Sequence, residues 1–316
     1  MTDQERHALL TLTLMAAFAD GDSGSAEQAE VKRLAASMSQ DGSVDAVAIS
    51  EAVAAGRVTL DETVAQLTTP ETRRLAWEYC TGACHADGAL NDAERAFLSS
   101  LQERLGFDAQ TSASATAFTA RAEAVALAPL AAPTSEEPPL HEGSMTAEEQ
   151  DRVILHYAVL NGALEILPES LGTLAIIPLQ MKLVYRIGKS YGYELDRGHI
   201  KDLLATAGIG MASQYVERIG TGLLRQVFGH GLLGGLIGGV ARQAVSSGLA
   251  FATTYALGRL AVRYYAGGRQ FSSQVLKDTY EQLLNEARGL HGRYEQTIRE
   301  KARTINVSEI LQDVRA

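Results

Sequence analysis

Cysteine is nearly missing from this chain: Cys80 and Cys84 are the two in 316 residues, four apart on a predicted helix with His85 beside them. Two thiols give no disulfide framework, and without a second pair they cannot complete a structural four-ligand zinc site. Three residues separate them, where c-type haem attachment needs two. They read as a reduced, half-buried cytosolic pair. Also missing is any Gly-x4-Gly-Lys-Ser/Thr stretch to cradle phosphate, any nucleophile elbow and any close Ser/His/Asp arrangement, so no motif points to nucleotide or acyl chemistry. The start, Met1 to Arg6, lacks the basic residues and apolar core of a signal peptide, which predicts a cytoplasmic location.

What is present divides by charge. Residues 1 to 150 carry 24 acidic and 9 basic side chains, a formal charge of −15, whereas 151 to 316 carry 14 acidic and 19 basic, giving +5. An acidic front half has no basic face for phosphate, which excludes nucleic acid as its partner. The basic rear half suits anionic lipid headgroups. A length of 316 residues leaves room for two domains.

The front half uses one local pattern twice: Ala-Asp-Gly, then five residues and a Glu. It occurs as Ala19-Asp20-Gly21 with Glu27 and as Ala86-Asp87-Gly88 with Glu94, 67 residues apart. Apolar stretches of helical period precede each copy (Leu10, Leu14, Ala17 and Phe18; Leu75, Tyr79 and Ala83). Each acidic turn is therefore predicted to link two helices. Two such turns brought together would offer Asp20, Glu27, Asp87 and Glu94 to a divalent cation such as calcium, magnesium, manganese or zinc. Hard cations in particular need several oxygen ligands. The competing account is local: Asn91-Asp92-Ala93-Glu94 has capping-box form, and Asp-Gly is an ordinary turn dipeptide. An EF-hand reading of the first loop fails, because Val31 stands where that loop needs a bidentate Glu.

Over residues 5 to 108 the two turns and their acidic, Ala/Leu-rich helical setting resemble the TerB domain of tellurite-resistance and stress-response proteins. The resemblance implies an all-helical bundle and carries a proposed divalent-metal role onto Asp20, Glu27, Asp87 and Glu94 only.

Residues 111 to 145 are rich in Ala, Ser, Thr and Pro, including Pro129, Pro133, Pro138 and Pro139, and read as a linker with at most a short helix from Arg121 to Leu127. Thr146-Ala-Glu-Glu149 then reads as a capping box opening the next helix. The expected organisation is an acidic domain over 1–110, the linker, a second helical domain over 146–271 and an amphipathic helix over 272–316.

In that second domain, Ile176-Ile-Pro178-Leu-Gln180-Met-Lys182, continuing to Tyr185-Arg-Ile-Gly188-Lys-Ser-Tyr191-Gly-Tyr193, resembles the core of the YcjF family. That family is a helical, membrane-associated module of unknown function, often joined to Era-like GTPase domains. The likeness covers about residues 150 to 270. With no phosphate loop in front, GTPase activity is not implied here.

A glycine-rich apolar region follows. Sixteen residues without formal charge lie between Arg225 and Arg242, and sixteen more between Arg242 and Arg259. Each falls just short of the ~17–25 residues of a spanning helix. Gly231, Gly235 and Gly239 recur every fourth residue, as do Gly234 and Gly238, giving a smooth face for close helix packing and self-association. A hairpin dipping into lipid, with Arg242 at its tip, and a hairpin buried in a soluble core both fit. Arg259, Arg263, Tyr264, Tyr265 and Arg269 beyond it suit a membrane–water interface. Leu276, Tyr280, Leu283, Ala287, Leu290 and Tyr294 then form a seam about three heptads long, which is expected to pack within its own chain rather than on a second subunit. His156 and His230 read as packed residues rather than ligands or bases.

The expectation is an all-α, two-domain, non-enzymatic adaptor whose acidic bundle binds a divalent metal or a protein partner. Its rear domain would hold it at the inner face of a membrane as a homo-oligomer. The alternatives are a membrane-remodelling or pore-forming assembly built on the glycine-rich hairpin, and a soluble hydrolase whose site carries no recognised motif.

Overall fold

The computed structural model describes residues 1–19, 46–86, 88–130, 145–167, 170–207, 209 and 240–315. Among them lie twelve helices and no strand, so the chain is all-α. They form two separately packed units, whose described residues run over 1–127 and over 128–209 with 240–315.

The first unit is built around α1 (Asp3–Ala17), which touches α2 (Ala46–Ala54), α3 (Leu60–Val64), α4 (Pro70–Cys84) and α5 (Asp92–Leu105). Its run Ala8, Leu9, Leu10, Leu12 and Leu14 is buried on every side, as a central helix requires. Each helix start is fixed locally. Thr2, Thr69 and Asn91 are N-caps of reciprocal capping boxes, and Pro70 takes the first helical position behind Thr69. Gly106 ends α5 in the left-handed conformation at φ 61°.

Residues 109–126, most of the expected linker's first half, form a full helix, α6 (Ala109–Ala126), capped by Asp108 and packed on α4. Phe118, Ala122 and Val125 are buried, and the Trp77 indole donates to the Ala115 carbonyl at 3.2 Å. Alanine supplies the helix propensity, and two large side chains supply the anchor.

The second unit is arranged about α10 (Val240–Ala266), which packs on α7 (Ala147–Ile166), α8 (Ser170–Ser190) and α11 (Ser273–Thr304). The Thr146 capping box opens α7 as its sequence predicts: Glu149 Oε2 accepts the Thr146 N–H at 2.8 Å. The short helices α9 (Arg197–Thr206) and α12 (Val307–Arg315) lie on α8. The α11 seam packs inward on α10 and α7, burying Leu276, Leu283, Ala287 and Ile298. Close approach rests on particular glycines. A Cβ at Gly258 would stand 2.7 Å from Ile154 Cγ1, and one at Gly188 would run into Leu195 Cδ1. Neither residue belongs to the Gly231, Gly234, Gly235, Gly238 and Gly239 pattern, which lies outside the described residues. Among the described residues no helix is long and apolar enough to cross a membrane.

Candidate functional site

Of the four carboxylates proposed for a cation, Asp20, Glu27 and Asp87 lie outside the described residues. Glu94 lies within them and is buried at the start of α5, where its Oε2 accepts the Asn91 N–H at 2.8 Å while Asn91 Oδ1 accepts the Glu94 N–H at 2.9 Å. One oxygen of Glu94 is therefore committed to satisfying a helix-start N–H. The turn between α4 and α5 is tightened by the His85 carbonyl, which accepts the Gly88 N–H at 3.2 Å. Among the described residues no group of three or more His, Cys, Asp or Glu side chains could hold a metal ion. Cys80 and Cys84 are fully buried rather than half-buried. Burial pushes the Cys80 thiol far above its ordinary range, and the Cys84 thiol points at the Ala16 carbonyl at 3.8 Å. Both belong to the packing of α4 on α1.

The acid that organises this unit is one the sequence did not single out. Glu5 accepts the Thr2 N–H at 2.9 Å and, from 63 residues away, the Thr68 hydroxyl at 2.6 Å and the Thr68 N–H at 3.2 Å. The Thr72 hydroxyl at 3.3 Å and the Thr2 hydroxyl at 3.4 Å bring the bonds accepted to five. The Thr68 hydroxyl first, then the Thr2 N–H, hold this carboxyl down at about 2 despite its burial.

In the second unit the YcjF-like run turns out to be largely internal. Gln180 and Lys182 are buried, and the Gln180 amide donates to Thr253 Oγ1 at 3.3 Å and to Thr254 Oγ1 at 3.1 Å. Asn161 on α7 also donates to Thr254 Oγ1, at 2.9 Å, so two amides meet at one hydroxyl between three helices. Nearby Glu165 Oε2 accepts the Ala250 N–H at 3.0 Å, a carboxylate set against the α10 backbone. Such a network fixes how three apolar helices register. His156 is half-buried, and burial followed by the Arg186 charge holds it down at about 4, so it is neutral near pH 7. His230 lies outside the described residues.

The aromatic and basic residues expected at a membrane interface separate into two groups. Arg259 is half-buried and engaged within the unit: it donates to Asp151 Oδ1 at 2.6 Å and to the Tyr255 hydroxyl at 3.1 and 3.2 Å. Tyr265 is buried, with its ring 5.3 Å from that of Tyr193. Arg263, Tyr264 and Arg269 instead lie at one end of the unit, where the α10–α11 turn meets the α8–α9 loop. Arg263 and Arg269 are exposed, and neither has a carboxylate partner among the described residues. Arg269 lies 5.7 Å over the Tyr193 ring, and it alone among the described non-glycine residues has positive φ, 64°. That conformation costs roughly 1–2 kcal/mol, whereas an exposed cation–π contact returns about 0.5–1 kcal/mol. Its N–H closes the turn on the Tyr264 carbonyl at 3.0 Å, a bond that glycine would make without strain. A side-chain hydrogen bond with Tyr264 and the Tyr193 face hold the guanidinium in place, and neither supplies a counter-charge.

Residues 6–117 match the family described as Tellurite resistance protein TerB, and residues 170–289 match a domain of unknown function, DUF697. The first match covers α1 to the middle of α6, and the second runs from the start of α8 into α11. No curated protein and no solved structure matches the chain. The chain is thus similar to TerB at its front and to DUF697 behind it, in line with the TerB and YcjF resemblances.

Proposed function

We propose that this chain is a non-enzymatic adaptor: an acidic TerB unit that docks a divalent cation or a basic partner protein, and a rear unit that holds it at the inner face of a membrane. The observation that carries the reading is the separation of charge along the chain, −15 over residues 1–150 against +5 over 151–316. A negatively charged membrane surface repels the first and attracts the second. The arginines left without carboxylate partners at one end of the rear unit support the same assignment. The front unit's buried acids are spent on caps and internal bonds, as at Glu5 and Glu94, and its net negative charge is carried at the surface, where a basic partner or an ion would meet it.

The experiment is flotation of the full chain with vesicles of phosphatidylcholine, with and without phosphatidylglycerol. Association that needs the anionic lipid and weakens with salt is the expected result. A chain that remains at the bottom of the gradient under every lipid composition defeats the membrane half of the proposal.

A further inference from the structure

Two loops at one end of the second unit gather an unusual set of side chains. Tyr193 comes from the α8–α9 loop, Tyr264 from the last turn of α10, Arg269 from the turn after it, and Phe271 packs edge-on to Tyr264 with ring centroids 6.3 Å apart. Arg263 is exposed one helical turn before the end of α10. The two carboxylates of the α8–α9 loop are already engaged, Glu194 with Lys189 at 2.6 Å and Asp196 with the His199 N–H at 2.9 Å. Arg269 is thus held at the surface by a strained backbone turn, a side-chain hydrogen bond with Tyr264 and the Tyr193 face, with no carboxylate among the described residues to neutralise it.

We infer that the Arg263–Arg269 end of the second unit is the surface that seats on anionic phospholipid headgroups, the guanidiniums taking lipid phosphates and Tyr264 and Phe271 lying at the interface. This deepens the membrane reading proposed above and rests on it. Charge complementarity selects the occupant: two guanidiniums without carboxylate partners, flanked by half-buried aromatics, match a phosphate layer over an apolar one. Strain kept at a surface cation is the expected mark of a residue retained for contact rather than for folding.

Arg269→Gly separates the two roles, because glycine takes φ 64° without strain and keeps the backbone bond to Tyr264. We expect the variant to melt at or above the wild-type temperature yet to bind phosphatidylglycerol vesicles about fivefold more weakly, with Arg263→Ala adding a similar factor. Wild-type flotation that both variants match would overturn this placement and leave the membrane reading standing. A wild-type chain that does not float removes both. Should Arg269→Gly lose folding, Arg263→Ala decides, since its side chain anchors no turn: undiminished binding rejects the surface, and a severalfold loss supports it. Weaker binding that extends equally to vesicles without anionic lipid also counts against it.

Discussion

Glu5 and Thr68 meet at 2.6 Å, carboxylate to hydroxyl, and so tie the first turn of α1 to the residues that lead into α4. The same carboxylate also takes the backbone N–H groups of Thr2 and Thr68, so the start of the chain is fastened to the middle of the unit by a single charged group.

That fastening makes the first unit acid-sensitive. The carboxyl titrates near 4.5 when unfolded and about 2 when folded. Its contribution is therefore complete above pH 4.5 and drains away as pH falls from there toward 2. Glu5→Gln is expected to cost about 1–2 kcal/mol at pH 7 and to flatten the fall in melting temperature below pH 4.5. Calorimetric melts across pH 3 to 7 check this, and identical acid limbs for the two proteins would count against it.

Glycines in the second unit divide into opposite predictions. Gly258→Ala forces a methyl to 2.7 Å from Ile154 Cγ1 and should cost about 1–3 kcal/mol by overpacking α10 against α7. Gly289 and Gly292 lie exposed within α11 with nothing within 4 Å of a Cβ. Replacing either by Ala should stabilise by about 0.5–1 kcal/mol. Denaturant titration that gave all three the same sign would contradict this packing.

Thr254→Val removes the hydroxyl on which Asn161 and Gln180 converge while keeping its volume. Leaving two buried amides short of a partner should cost about 2–3 kcal/mol, and Thr254→Ser should recover most of it. A near-neutral valine variant would mean that the network contributes little to how α7, α8 and α10 pack.

For the acidic turns, millimolar calcium, magnesium, manganese or zinc should raise the melting temperature of the full chain if a cation is held in the folded state. Glu94→Gln retains the capping box, since glutamine serves at that position, but removes the charge. It should leave the ion-free stability nearly unchanged and shrink the ion-dependent shift, as should Asp20→Asn, Glu27→Gln and Asp87→Asn. No shift with any of the four ions would leave Glu94 as a cap and Asp87 as a turn residue.

Features whose cause is local were legible in the sequence. The capping boxes at Asn91 and Thr146 can be read from four consecutive residues, and both form. The α11 seam was legible for the same reason, since its periodicity lies in one helix. The extent of α6 was not: its Ala, Ser and Thr composition looks like a linker until Trp77 and the buried face at Phe118 are placed beside it. The Arg259–Asp151 pair was not legible, because the two residues are 108 positions apart. Gln180 and Lys182 stood out as a motif, but nothing in their polarity signalled that they would be buried. Glu5 was passed over because three of its five bonds come from residues more than 60 positions distant.

The helix α10 is also a spacer. Its 27 residues span about 40 Å, and its two ends carry different cargo: Arg263 and the Arg269 turn follow at one, while the chain departs from Val240 toward Gly239 and the glycine-rich run at the other. Packed between α7, α8 and α11, it acts as a strut rather than a flexible tether. With the basic end seated on a bilayer, that contact would sit on the end of a rigid 27-residue rod clasped by three other helices, so a force at the lipid contact would be borne by α7, α8 and α11 together rather than by a loop.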